Sequence, residues 1–143
     1  AFDAGGVGGF LSGFLKTAYP VSFGSSPIPM PKASKIHGPG ISTRPQYFNL
    51  RSQMYFELVA DIVTTPNLYI EGATEEQARI IAQELRAIKK LPTNSDQKLR
   101  IIPKDQIKVE IRRSPDFADV IAMRKIFDLI PRVAVRPRGM SSV

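Results

Sequence analysis

Two aspartates, Asp116 and Asp119, stand three residues apart in the segment SPDFAD. Ser114 and Pro115 mark a helix start there, because Ser is a good N-cap and Pro is favoured at the first helical position. Side chains at i and i+3 share a helix face, so the spacing puts both carboxylates on one side. Two carboxylates so placed make half of an oxygen-ligand metal site, although acidic residues in a first turn commonly do no more than complement the helix dipole. A third carboxylate, Asp3, follows the strand-like Ala1 and Phe2 and precedes a glycine-rich turn. That is the C-terminal edge of a strand, where ligand-binding residues gather in open α/β sheets. The glycines beside it would let a nucleic-acid backbone approach closely, while Asp-Ala-Gly-Gly is also a common turn.

Cations near these acids are candidates for gripping phosphate. Lys104 comes just after an expected strand, Arg51 falls early in a helix, and Arg112 and Arg113 immediately precede the acidic segment. A solvated side chain is the plain alternative for each. His37 lies in a loop and reads as solvent-exposed rather than catalytic. With no cysteine in 143 residues a thiolate metal site is excluded, and a lone histidine, His37, argues against a His-based zinc site. Oxygen ligands remain, and these favour Mg²⁺ or Mn²⁺. The stretch GGVGG does not have the spacing of GxGxxG, and GxxxxGK[ST] is absent, which argues against a nucleotide site. A net charge of +7 and a pI near 9.9 make a field that attracts polyanions, of which nucleic acid is the commonest. No apolar run approaches the roughly 18–20 residues a bilayer requires, so no membrane partner is expected, and the opening residues lack the basic start of a signal peptide.

The elements that must position these residues alternate between helix and strand, an α/β pattern. After Asp3, the residues Val7, Phe10, Leu11, Phe14 and Leu15 have helical spacing behind a Gly-rich turn, and 19–23 reads as a short strand. Residues 25–45, with Lys32, Lys35 and Arg44, read as a long Pro/Gly/Ser-rich loop. A helix is expected over 46–63, then a short strand over 68–70. Thr74 and Gln77 form a capping-box pattern for a helix reaching about Lys89 with Ile80, Ile81, Leu85 and Ile88 inward. Asn94, Ser95 and Asp96 suggest a turn, 99–102 and 107–111 a strand pair, and the last helix runs from Ser114 to Ile130, where Pro131 stops it. The domain is read as 1–131, and 132–143 as a basic flexible tail whose Arg132, Arg136 and Arg138 are candidates for contact with DNA or another protein.

Three segments, FDAGGVGGFL, NLRSQMYFEL and IPKDQIKVEIRRSPDFADVIAMR, occur in the order seen in the large terminase subunits of tailed bacteriophages. The chain resembles that family over almost all of 1–131: an Asp-x-x-Gly-x-Gly turn, an Asn-x-Arg helix start, a Glu-Leu helix, then Lys followed by Ser-Pro-Asp-x-Ala-Asp. The last motif is the most specific and the glycine turn the least. The resemblance implies an RNase H-like fold, a central mixed sheet flanked by helices, in the C-terminal nuclease domain. It implies a metal-dependent endonuclease that cuts concatemeric viral DNA during packaging, with two Mg²⁺ or Mn²⁺ ions. Asp3 matches the family's second acidic ligand, and the third falls on Asp116 or Asp119. The first lies on an earlier strand, so N-terminal strands are expected to be missing, and this stretch alone is expected to be inactive, its sheet edge unpaired. Implied partners are double-stranded viral DNA, the portal protein, the small terminase subunit and an ATPase domain upstream in the same polypeptide, in the host cytoplasm during virion assembly. The alternatives are a catalytically silent DNA-binding or portal-docking module and another RNase H-like nuclease.

Overall fold

The computed structural model describes residues 1–5, 8, 11, 13–15, 17–29, 47–64, 70–92 and 98–130. Strand β1 (Phe2–Asp3) pairs in parallel with β2 (Pro20–Val21), Asp3 opposite Val21. Their bonds run from Phe2 N–H to the Tyr19 carbonyl (3.0 Å) and from Ala4 N–H to the Val21 carbonyl (2.8 Å). A parallel pair needs a crossover between its strands. Here its described part is a series of tight turns, such as Phe14 N–H to the Leu11 carbonyl at 3.0 Å. The helical face expected there does not turn inward: Leu11, Phe14 and Leu15 stand exposed. Val7 and Phe10 lie outside the described residues. The glycines explain the turns, because Gly costs about 1 kcal/mol in a helix interior relative to Ala.

Helix α1 (Leu50–Thr64) starts four residues later than the sequence suggests. The shift goes with a cap, since the Asn49 side chain accepts from Ser52 N–H at 2.9 Å. Its first half is buried almost all round, including Arg51, Gln53 and Glu57, and its second half exposes Val59 and Val63. Helix α2 (Glu75–Ala87) carries the complete Thr74–Gln77 capping box. Of the apolar positions expected inward on it, Ile81 is buried, and Ile80, Leu85 and Ile88 are partly so.

The expected strand pair over 99–102 and 107–111 is corrected: Lys104–Ile111 is helix α3, with Ile107 and Ile111 buried at i, i+4 spacing. Only the first half behaves as strand. Leu99 makes a parallel bridge to Tyr47 and Ile101 an antiparallel bridge to Lys90. The last helix is also corrected, splitting into α4 (Asp116–Met123) and α5 (Ile126–Leu129). At the break, Lys125 turns inward to ion pairs with Asp61 of α1 and Asp128. The backbone at Arg124 and Lys125 stays in the α-helical region, and the hydrogen bonding tightens there, Lys125 N–H reaching the Ala122 carbonyl at 3.0 Å. Ala118 and Ala122, both 0% exposed, give α4 a flat face against α1. The main core gathers there, with Val21, Leu50, Met54, Tyr55, Leu58 and Ile126.

Among the described residues the sheet consists of β1 and β2 alone, with two further isolated bridges. The expected central mixed sheet is therefore seen only as these pieces. Residues 30–45 of the expected loop at 25–45, strand residues 68 and 69, the turn at Asn94–Asp96, Pro131 and the tail at 132–143 fall outside the described residues.

Candidate active site

Asp119, in the first turn of α4, is 3% exposed. Its Oδ1 accepts from the Tyr55 hydroxyl at 2.8 Å and from Arg51 Nε and Nη2 at 3.3 and 3.2 Å. Both donors come from α1, four residues apart and so on one helix face. Arg51 also donates to the Ile102 carbonyl at 3.2 Å and lies 5.1 Å from the centre of the Tyr55 ring. Burial pushes the Tyr55 phenol well above its ordinary value, the Asp119 charge pushes the same way, and Arg51 opposes them. Tyr55 therefore stays a proton donor.

The other oxygen, Oδ2, is buried and has no hydrogen bond, while Lys104 Nζ stands 2.7 Å from it in ion-pair contact. The two observations agree once direction is considered. The ammonium attracts the oxygen by charge, but its approach lacks the directionality of a hydrogen bond. Lys104 Nζ also lies 3.8 Å from Asp116 Oδ1, on a side chain that is mostly exposed. One ammonium thus serves both carboxylates of SPDFAD.

Asp3 sits on the β1 edge, exposed, and its Oδ1 accepts from Gly5 N–H at 2.9 Å. Gly8 folds back on the same residue so tightly that a Cβ there would stand 1.8 Å from the Asp3 carbonyl oxygen. A glycine at position 8 is thus required by the chain's own packing around Asp3. Among the described residues, no three His, Cys, Asp or Glu side chains form a group that could hold a metal. The structure brings Asp116 and Asp119 together around Lys104, and Asp3 does not complete a trio with them.

The expected phosphate-gripping residues separate into three kinds. Arg51 is buried against Asp119 and so is not the solvated side chain of the plain alternative. Arg113 pairs with the buried Glu84 at 3.0 Å and donates to the Gln83 side chain at 3.1 Å and the Ile80 carbonyl at 3.3 Å, so its guanidinium is committed to α2. Arg112 is exposed and closes α3 in the left-handed conformation, φ 58°. His37, Lys32, Lys35, Arg44, Arg132, Arg136 and Arg138 lie outside the described residues.

Glu84 is a residue that reading the sequence missed. Its Oε2 accepts from Ala118 N–H at 2.9 Å, so a carboxylate from α2 caps α4. The cap expected from Ser114 is not used: Pro115 holds the N-cap position instead of the first helical turn, without a side-chain cap of its own. Tyr55 was missed as well. The only signal for it is its i+4 spacing from Arg51, and nothing in the sequence says which carboxylate that pair meets.

No protein-family model matches the chain. No curated protein matches it either. Solved structures do. The nuclease domain of the large terminase subunit of bacterial virus Sf6 aligns with a TM-score of 0.58 at 22% identity, covering 85% of this chain and 61% of that one. A lysine-to-alanine variant of that domain with manganese aligns at 0.57 and 22% identity, covering 85% of this chain and 62% of the other. The same variant with manganese and beta-thujaplicinol aligns at 0.56 and 20% identity, covering 85% and 61%. The chain thus spans about three fifths of the structures it matches. Over the aligned part, its fold is like that of this terminase nuclease domain.

Proposed function

We propose that this chain is part of a divalent-metal-dependent endonuclease that cuts double-stranded viral DNA during genome packaging. The observation that carries the reading is Asp119: a buried carboxylate with one oxygen fixed by three donors and the other without a hydrogen bond, beside Asp116. The likeness to a terminase nuclease domain supports it, and so does the net charge of +7.

The donor set fits Mg²⁺ or Mn²⁺ in kind, since both take carboxylate oxygens and neither needs the histidine or thiolate ligands lacking here. Asp119 and Asp116 would hold the ion, with Asp3 a third ligand by family resemblance. When bound, such an ion supplies an activated water and charge stabilisation for the leaving oxygen, and two ions do so together. Lys104 already sits as a cation between Asp116 and Asp119. With an ion held by these carboxylates, the Lys104 ammonium would be available to a DNA phosphate. Arg51 and Tyr55 keep the Asp119 carboxylate in place meanwhile. The proposed partners are DNA, the portal protein, the small terminase subunit and an ATPase domain in the same polypeptide, all in the host cytoplasm.

A second reading is a silent DNA-binding or portal-docking module. The observation that favours it is the pairing of Asp119 with two cations of the chain itself, Arg51 and Lys104. Plasmid cleavage with Mg²⁺ or Mn²⁺ by the full-length protein separates the two. Metal-dependent cutting lost in Asp3→Ala, Asp116→Ala and Asp119→Asn supports the nuclease and its ligands. Chelator-resistant DNA binding without cutting supports the module.

A further inference from the structure

We propose that Tyr55 and Arg51 are positioning residues that fix the Asp119 carboxylate through Oδ1 alone, so that Oδ2 is presented to the cation of the site. This rests on the nuclease reading above and adds to it the residues that aim the ligand. Three donors converge on Oδ1, at 2.8, 3.2 and 3.3 Å, whereas Oδ2 accepts no hydrogen bond although it is buried. Buried acceptors are nearly always satisfied, and Oδ2 is met by the Lys104 ammonium at 2.7 Å, so this oxygen faces a positive charge and not a neutral donor. The donors are themselves held. Arg51 is anchored on the Ile102 carbonyl and stacked against the Tyr55 ring, and Tyr55 is 2% exposed. Neither can swing toward Oδ2 without leaving a buried group unpaired. The Lys104 contact at 2.7 Å shows that a positive charge is accommodated at Oδ2.

The same chemistry occurs at Glu57 of α1 in a different setting, which gives an internal control. Tyr47 donates to the buried Glu57 at 2.7 Å and takes no part in the Asp119 site. Outer residues that orient a metal-binding side chain typically account for about 10–100-fold in metal affinity. Mn²⁺ binding to the full-length protein, followed by the EPR signal of the free ion, tests the inference together with thermal unfolding of each variant. Tyr55→Phe is expected to bind Mn²⁺ about 10–100-fold more weakly. Tyr47→Phe also loses one buried hydrogen bond and should keep the parental affinity. Arg51→Lys keeps the charge but loses the planar fork, and should weaken binding too. Parental affinity in a folded Tyr55→Phe, with Asp119→Asn impaired, overturns the positioning role and leaves the nuclease reading standing. A parent that binds no more Mn²⁺ than Asp119→Asn overturns both. Should Tyr55→Phe fail to fold, Arg51→Lys decides by the same comparison.

Discussion

Asp119 is exchanged at very different cost depending on what replaces it. Asp119→Ala would leave the Arg51 guanidinium buried without its carboxylate, and breaking a buried pair in this way costs about 3–5 kcal/mol. Asp119→Asn keeps an acceptor for Arg51 and Tyr55 and should cost much less. Urea denaturation of both variants checks this, and equal losses would mean that the charge of Asp119, not its acceptor, holds Arg51. A second residue-scale consequence concerns alkali. Burial raises both Tyr47 and Tyr55 above the ordinary value of 10.0, helped by Glu57 and Asp119 respectively. The folded state holds these protons more tightly than the unfolded chain, so their contribution is complete below pH 10 and falls as pH rises above it. Stability measured between pH 9 and 11 should decline, and Tyr47→Phe with Tyr55→Phe together should flatten the decline.

Among the elements, α4 depends on a neighbour. Its N-terminus is capped by Glu84 of α2, held in turn by Arg113. Glu84→Ala removes a charged cap and a buried ion-pair partner, and is expected to cost about 2–3 kcal/mol. Ser114→Ala, the substitution at the cap that the sequence suggests, should change stability by less than about 0.5 kcal/mol. Equilibrium unfolding of the two ranks them, and the reverse order would show that Ser114 closes the helix after all. Because Asp119 stands in the turn that Glu84 caps, loosening α4 should also loosen the candidate site. Lys125, between α4 and α5, ties this end of the chain to α1 through Asp61.

At the scale of the molecule, the charge of +7 acts through individual cations that remain available to phosphate. Arg51 and Arg113 are committed to Asp119 and Glu84, whereas Arg112 is exposed. DNA affinity should fall steeply with salt, and the slope of log K against log salt should drop by about 1 in Arg112→Ala if that residue meets a phosphate. Arg113→Ala should leave the slope unchanged. Fluorescence anisotropy at several salt concentrations reads both, and a lowered slope in Arg113→Ala would show that its pairing with Glu84 opens on DNA.

Local signals were legible where a few neighbouring residues decide the outcome. The capping box at Thr74 and Gln77 needs only its own four residues, and it formed as expected. The carboxylate spacing of Asp116 and Asp119, the strand end at Asp3 and the glycine turn after it are likewise short-range, and the family resemblance rests on such motifs. The segment 107–111 was misread because two isoleucines four apart are also compatible with an apolar strand end. The choice fell to helix where Ile107 and Ile111 bury together against Ala87 and Ile102. Only the tertiary structure could separate Asp119 from Asp116, because what distinguishes them is burial under α1. Arg51 and Tyr55 are 68 and 64 residues away from Asp119 in the chain, and Glu84 is 34 residues from the amide it caps. Sequence determines which side chains can accept, donate or carry charge, but which of them meet is decided by packing, since desolvation forces each buried charge to find a partner wherever the fold brings one.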